Sequence, residues 1–192
     1  MKTSTTALIL VLLVSIGSYA QGLSGGVKAG LNLANQTYSG NGYTTSPSFL
    51  PSLHAGVYLT AMLSEHIGVQ PELLYSGQGA KSGSEKLKLT YVTLPILFRY
   101  NVNSLLSFHA GPQFGVLLSA KDKVGSNSVD IKDEFKSSDV SFAAGVGIDL
   151  PMKLNFNARF IKGLSDINDT GSSVKAKNYT LQLSVGYKLF GE

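Results

Sequence analysis

Apolar and polar residues alternate along most of this 192-residue chain, with the period of two that is typical of β-strands. In residues 88–101, for example, one face carries Val92, Leu94, Ile96, Phe98 and Tyr100, and the residues that alternate with them share the other face. The same alternation predicts eight strands, at residues 26–34, 52–64, 67–76, 88–101, 105–120, 139–150, 153–165 and 178–190.

One face of each predicted strand is apolar, and the opposite face carries glycine, small polar residues and scattered charges. A soluble sandwich or barrel would turn the apolar face inward, and alternation alone does not identify the inner face. Most of these strands have about ten residues or more, which suits strands that cross a bilayer at a tilt. The small, glycine-rich face fits a narrow lumen. These two features favour a membrane barrel.

Short and long connections alternate between the predicted strands. The short connections are residues 65–66, 102–104 and 151–152. The long connections, rich in Gly, Ser, Asn and charge, are residues 35–51, 77–87, 121–138 and 166–177. Outer-membrane barrels have short periplasmic turns and longer external loops. The sequence therefore predicts an all-β fold, an eight-stranded antiparallel up-and-down transmembrane β-barrel with both termini on the periplasmic side.

Aromatic residues on the apolar faces fall near the ends of the predicted strands. Those near the periplasmic ends are Tyr100, Phe108, Phe156 and Tyr187. Those near the external ends are Tyr75, Phe142 and Tyr179. Aromatic side chains are enriched at both interfaces of membrane barrels. We therefore expect these residues to form two girdles in contact with outer-membrane lipid.

The first twenty residues have the layout of a secretory signal peptide. Lys2 precedes an unbroken apolar run at residues 7–14, and small residues occupy positions 18 and 20. The apolar run is too short for a spanning helix. The sequence therefore predicts a cleaved signal peptide at residues 1–20, a single barrel domain at residues 21–192, and export to the outer membrane.

The composition excludes several classes of protein. The chain is 43% apolar and 15% charged, which is unlike a disordered chain. It contains no Cys, and this excludes a disulfide framework, a thiolate metal site and a lipoprotein anchor. The net charge of +4 is mild and the basic residues are scattered along the sequence, so we expect no nucleic-acid partner.

Six charged residues fall on the face predicted to line the lumen: Lys28, Glu72, Arg99, Asp149, Arg159 and Lys188. Charges buried there must pair or hydrogen-bond, because an unpaired charge is costly. Glu72 and Arg159 fall at similar depth on opposite strands, and Arg99 is on the strand next to Glu72. The pattern predicts a Glu72–Arg99/Arg159 network that fills the lumen, since eight strands leave little more room than side chains need. The alternative is an ion path or a proton relay.

No group of residues suggests catalysis or metal binding. A catalytic site needs a nucleophile and a base within reach, but His54, His66 and His109 are predicted to lie apart. Residues 166–171 faintly resemble the start of a calcium loop, yet Lys177 stands where a bidentate Glu belongs. We therefore expect no enzymatic activity, no cofactor and no metal.

The order and spacing of short motifs resemble a known family over residues 21–192. The motifs are Gly26, Lys28, Gly30 and Asn32, residues 70–76 with Gly79-Ala80, residues 91–95, Gly111-Pro112, Gly145 with Gly147, Arg159-Phe160, Gly163-Leu164 and Asp166-Ile167. In these features the chain resembles the PorT-like outer-membrane β-barrel family of Bacteroidota, whose domain is similar to OmpA and OmpX barrels. The resemblance implies a barrel in the outer membrane, and it does not imply one function.

The sequence is best interpreted as a monomeric barrel with a filled lumen. Its role would be structural or interactive, through external loops: adhesion, envelope integrity or docking of a secretion partner. Phe135 lies in the long charged connection 121–138, where an aromatic side chain either anchors a partner or packs on the barrel rim. The alternatives for the whole chain are a narrow passage for small solutes and a soluble periplasmic ligand-binding barrel.

Overall fold

The computed structural model describes residues 22–40, 43–125 and 127–191. The predicted signal peptide at residues 1–20 lies outside these ranges and stays a prediction. The described strands are β1 (Gly22–Gly40), β2 (Tyr43–Thr45), β3 (Leu50–Met62), β4 (Ile67–Ser82), β5 (Glu85–Asn101), β6 (Leu106–Val124), β7 (Asn127–Asp130), β8 (Ser138–Asp149), β9 (Leu154–Gly163) and β10 (Lys175–Phe190). A short 3₁₀ helix, Lys132–Glu134, precedes β8. No helix in the described ranges is long and apolar enough to cross a membrane.

The eight long strands form one closed antiparallel ring. Neighbours pair in the order β1–β3–β4–β5–β6–β8–β9–β10, and β10 returns to pair with β1 from Ser39↔Lys175 to Gly26↔Lys188. The short strands β2 and β7 extend the outer ends of β1 and β6. Each of the eight predicted strands overlaps one long strand, so the predicted up-and-down barrel is confirmed.

The two ends of the barrel differ in their connections. Short turns at residues 63–66, 102–105 and 150–153 lie at the end where β1 begins and β10 finishes. Extended hairpins and longer segments connect the strands at the opposite end. In outer-membrane barrels the short turns are periplasmic, so the end with the hairpins is external.

The outer wall of the ring is apolar. On β5, Leu94, Ile96 and Phe98 are 39%, 40% and 52% exposed, and the lumen-facing residues between them are buried. The outward positions from Val92 to Tyr100 span about 27 Å along the strand, or about 20 Å along the barrel axis at a tilt of about 40°. This height is close to the apolar band of about 25 Å that outer-membrane barrels present to lipid.

Six predicted girdle aromatics project from this wall. Tyr75, Tyr100, Phe108, Phe142, Phe156 and Tyr187 are all between 43% and 58% exposed. Tyr179 is instead half-buried, because Phe49 packs edge-on against it with ring centroids 5.6 Å apart. The side-chain amide of Asn35 also donates a 2.8 Å hydrogen bond to its hydroxyl. Part of the Tyr179 side chain is therefore covered by other protein residues, and the rest is exposed on the outer wall. The two aromatic girdles stay a prediction.

The external ends of the strands continue beyond the apolar band. The prediction of a long loop at residues 77–87 is wrong, because β4 and β5 stay paired as far as Ser82↔Glu85 and turn at Gly83 and Ser84. Gly83 has a φ of 57°, which glycine adopts without strain. Outside lipid a strand has no reason to present an apolar outer face, so the alternation disappears from the sequence while the backbone pairing continues.

Candidate functional site: the lumen and the external mouth

Three strands bring an ion cluster to the middle of the lumen. Glu72 on β4 accepts a 2.9 Å hydrogen bond from Nζ of Lys28 on β1. It also accepts 2.9 Å hydrogen bonds from both terminal nitrogens of Arg159 on β9, one to each carboxylate oxygen. All three residues are at most 3% exposed. The bidentate geometry is the specific way in which a guanidinium binds a carboxylate, and Glu72 is the counter-ion of both cations.

Within the predicted Glu72–Arg99/Arg159 network, Arg99 makes no direct ion pair with Glu72. Arg99 on β5 pairs instead with Asp149, at the end of β8. Its position in the register explains the difference, since Arg99 stands opposite Gly68, nearer the periplasmic end of β4 than Glu72. Gln70 connects the two groups: its Oε1 accepts a 3.0 Å bond from Arg99, and its Nε2 donates a 2.7 Å bond to Glu72.

Lys188, the remaining predicted lumen charge, lies at the periplasmic mouth. It is half-buried and lines a cavity of about 270 Å³ together with Arg99 and Asp149. The six charged residues therefore divide into a fully buried cluster at mid-depth and a partly accessible group at the periplasmic end.

Side-chain amides extend the buried cluster toward the external end. Arg159 donates to Gln182 at 3.4 Å, Gln182 donates to Asn32 at 3.1 Å, and Asn32 donates to Ser76 at 2.9 Å. These links are not predictable from the sequence, because an isolated Gln or Asn on a lumen face has no pattern that identifies its partner. Together with Gln70 they make a polar network that runs from the periplasmic mouth past mid-lumen.

Both lumen histidines lie against glycines of neighbouring strands. A Cβ added at Gly30 would lie 2.7 Å from Cε1 of His54, and one added at Gly145 would lie 2.9 Å from Nε2 of His109. His54 bonds through Nε2 to the hydroxyl of Ser184 at 2.8 Å. The glycines of the lumen face thus make room for large side chains, which fill the interior of the barrel.

The third histidine lies elsewhere, in a periplasmic turn. The ring of His66 stacks on Tyr100, with centroids 6.2 Å apart. Among the described residues, no three His, Asp or Glu side chains come together in a way that could hold a metal ion.

Above the polar network, an apolar cluster closes the external half of the lumen. Its buried members are Leu89, Tyr91, Leu117, Ala120, Ile167 and Ala176. Tyr38, Leu87, Ile131 and Phe135 pack against them while half-buried. Phe135 thus packs on the barrel rim, which is one of the two roles expected for it, and its backbone pairs with that of Asn168. The sequence pattern does not indicate that loop residues cover Leu89 and Leu117.

The external mouth holds a cavity of about 490 Å³ above this cluster. Its apolar lining includes Tyr38, Leu87, Ile131, Phe135 and Val174. Its charged lining consists of Lys81, Glu85, Asp122 and Glu134, a net charge of −2 from one lysine and three carboxylates. A cavity of this size is within the range of small-molecule sites, and its charge favours neutral or cationic groups.

The connection between β9 and β10 is held in place beside this cavity. Asp166 Oδ1 accepts the backbone N–H groups of Ala176 at 2.9 Å and of Asn168 at 3.1 Å. Burial tends to raise the pKa of Asp166, but these two N–H groups and the charge of Lys136 hold that pKa below its usual value. Asn168 donates to the carbonyl of Val174 at 2.6 Å. The residues that faintly resemble a calcium loop therefore bond to one another.

Comparison with known proteins agrees with this architecture. A family model described as "Outer membrane protein beta-barrel domain" matches residues 6–188. The fold is similar to that of Ail, the attachment invasion locus protein of Yersinia pestis, with a TM-score of 0.52 and 16% identity over 88% of this chain and 99% of Ail. It is also similar to Neisserial surface protein A, with a TM-score of 0.56 and 14% identity over 88% of this chain and 100% of that protein. At such low identity these likenesses concern the fold alone.

The comparisons are less specific about the subfamily. No curated protein sequence matches the chain. The family model supports an outer-membrane β-barrel domain, and the PorT-like assignment stays a prediction based on the sequence motifs.

Proposed function

The chain belongs to the outer membrane protein beta-barrel family, and we propose that it is a closed, monomeric barrel of the bacterial outer membrane that acts through its external mouth. Location in the outer membrane excludes the soluble periplasmic alternative. Adhesion, envelope integrity and docking of a secretion partner are the roles that such a barrel would serve.

The observation that carries the proposal is the double obstruction of the lumen. The Lys28–Glu72–Arg159 cluster occupies mid-depth with all three side chains buried. The apolar cluster around Tyr91 and Ile167, both 0% exposed, occupies the external half. A hydrated solute would have to displace both, which makes steady passage unfavourable.

Because the lumen is obstructed, the mouth cavity is the site at which the barrel would bind a ligand or a partner. Ile131 and Phe135 connect its wall to the apolar cluster, and the bonds of Asp166 and Asn168 hold the opposite wall. A cavity held in one shape loses little conformational entropy when a ligand binds. We infer that it receives a neutral or cationic group, either of a small molecule or of a side chain on a partner.

The proposed role is not enzymatic and needs no second copy of the chain. His54 and His109 are enclosed in the lumen and His66 lies at the periplasmic end, so the mouth contains no histidine that could act as a base. The ring of eight long strands closes through β10 and β1, so none of these eight strands has an open edge along the ring that would invite pairing between chains.

A cavity-filling substitution tests the proposal. Glu134 lines the cavity and is exposed, so Glu134→Trp should fill it without disturbing the strands. Asp133→Trp is the matched control, since Asp133 is the preceding residue, has the same charge and does not line the cavity. Both variants would be expressed in cells whose own copy is deleted. We expect only Glu134→Trp to reproduce the deletion phenotype at equal surface display; full complementation by both variants would contradict a role for the cavity.

A further inference from the structure

We propose that the outer wall of the β5–β6 hairpin binds the phosphorylated headgroup of an anionic glycolipid in the outer leaflet. The site consists of Lys86, Lys88, Lys121 and Lys123, here called the lysine face. It lies on the opposite side of the strands from the mouth cavity, so the inference is independent of the proposed function.

Strand pairing brings these four lysines together although they are scattered in sequence. Lys88 stands directly opposite Lys121, and Lys86 stands directly opposite Lys123. Lys81 on β4 stands on the other side of Lys86, but it lines the mouth cavity and is not counted in the lysine face.

The four side chains point away from the barrel interior. Leu87 lies between Lys86 and Lys88, and Asp122 lies between Lys121 and Lys123. Both face inward, as shown by the packing of Leu87 on the apolar cluster and the position of Asp122 in the lining of the mouth cavity. Successive residues of a strand point to opposite faces, so the lysines lie on the outer wall.

The lysine face forms no ion pair within the described part of the chain. None of the four lysines lies within 4.0 Å of a carboxylate oxygen among the described residues. Asp130 on β7 stands opposite Lys121, but its Oδ1 accepts the backbone N–H of Lys132 and forms no such ion pair. Like charges directly opposite each other destabilise a sheet, so two such pairs side by side favour an external anion.

The depth of the site identifies the class of anion. The outward apolar residues end at Val92 on β5 and at Leu118 on β6. Lys88 and Lys121 follow by four and three residues, which is about 8–10 Å further along the barrel axis at the usual strand rise and tilt. Side chains that point outward at this level lie above the hydrocarbon and beside the headgroups of the outer leaflet. A membrane lipid with phosphate groups therefore fits the position better than a free anion or a soluble polymer.

The test uses the full-length mature protein in zwitterionic detergent, with bisphosphorylated lipid A as the probe and the thermal unfolding midpoint and native mass spectrometry as readouts. The variant Lys88→Ala/Lys121→Ala removes one lysine pair. The control Lys175→Ala/Lys153→Asn removes the same charge away from the lysine face, since Lys175 is on β10 and Lys153 is in a periplasmic turn. Asn is chosen because Lys153 has a φ of 63°. Inorganic phosphate and a heparin oligosaccharide replace lipid A in parallel titrations.

We expect lipid A to bind the wild type and the control and to raise their unfolding midpoints. Affinity of the Lys88→Ala/Lys121→Ala variant should be at least about tenfold lower. Without lipid A, this variant should unfold at the same temperature as the wild type or higher, because a like-charge pair has been removed. Equal lipid A affinity of the variant and the control would overturn the proposal. A response to inorganic phosphate equal to that to lipid A, or binding of heparin in preference to lipid A, would overturn it as well.

Discussion

Glu72 and Arg159 lie on opposite sides of the barrel ring and meet in its centre through two parallel hydrogen bonds of 2.9 Å. They are 87 residues apart in sequence and are no more than 2% exposed. The pair joins β4 to β9 directly through the lumen, and Lys28 brings β1 to the same carboxylate. The centre of this barrel is therefore held by ionic contacts, whereas its outer wall is apolar.

Removal of Glu72 should destabilise the protein strongly. Glu72→Ala leaves Arg159 and Lys28 buried without a counter-ion, and the expected loss is about 3–5 kcal/mol in the free energy of unfolding. Denaturant unfolding in lipid vesicles measures this loss. The control Glu85→Ala removes an exposed carboxylate and should change stability by no more than about 0.5 kcal/mol. Equal effects of the two substitutions would show that the lumen cluster is hydrated enough to need no counter-ion.

The cost of a charge on the outer wall should depend on its depth. Ile96 lies at the middle of the outward apolar positions of β5, and Tyr100 lies at their periplasmic end. Ile96→Arg should cost about 2–4 kcal/mol in folding free energy, and Tyr100→Arg about 0–1 kcal/mol. Folding equilibria in lipid vesicles distinguish the two values, and an equal cost at both positions would be inconsistent with the proposed position of the membrane.

The apolar cluster should control the order of the external mouth. Ile167 is 0% exposed and belongs to this cluster, whereas Leu164 in the same connection is 53% exposed. Ile167→Ala should cost about 2 kcal/mol or more, because it leaves a cavity in a packed region. Limited proteolysis of the folded protein should then cut the β9–β10 connection faster. Leu164→Ala should leave the cutting rate near that of the wild type, and equal acceleration by both substitutions would contradict this prediction.

The same connection should loosen at low pH through Asp166. The pKa of this carboxyl is lower in the folded protein than its ordinary value of 3.8, so its contribution to stability is present above that value. The contribution is lost as the pH falls through the lower pKa of the folded state. The chain has no Cys, so a fluorescent label at Ser173→Cys reports on this segment alone. Asp166→Asn should abolish the change in label mobility below about pH 4, and an unchanged acid response in that variant would refute the assignment.

The membrane-spanning part of the fold is predictable from the sequence, because lipid and lumen impose opposite requirements on alternate residues. Leu94, Ile96 and Phe98 show this requirement on β5, and each of the eight predicted strands overlaps a long strand of the ring. The external hairpins are not predictable in the same way. Residues 77–87 lie beyond the apolar band, so their sequence resembles a loop although the backbone pairs as far as Ser82↔Glu85.

The candidate sites depend on register, which the sequence specifies only in part. Alternation places Glu72, Arg99 and Arg159 on the lumen face. The relative positions of the strands in the barrel then decide that Arg99 pairs with Asp149 and that Gln70 connects Arg99 to Glu72. The mouth cavity and the lysine face also depend on how the strands pair. Asp122 and Lys123 are adjacent in sequence, and the alternation of the strand sends the first to the cavity and places the second opposite Lys86 on the outer wall.

Single-channel recording in planar bilayers is the most direct test of the central claim that the barrel is closed. The mature protein would be inserted from detergent at neutral pH. The different gel mobility of its folded and heat-denatured forms would verify folding, and co-flotation with vesicles of the same lipid would verify insertion. A barrel obstructed by the Lys28–Glu72–Arg159 cluster and the apolar cluster should show no stable conductance steps after insertion. Uniform, long-lived, porin-like steps from the wild-type protein would contradict the claim and would establish solute passage as the function to pursue.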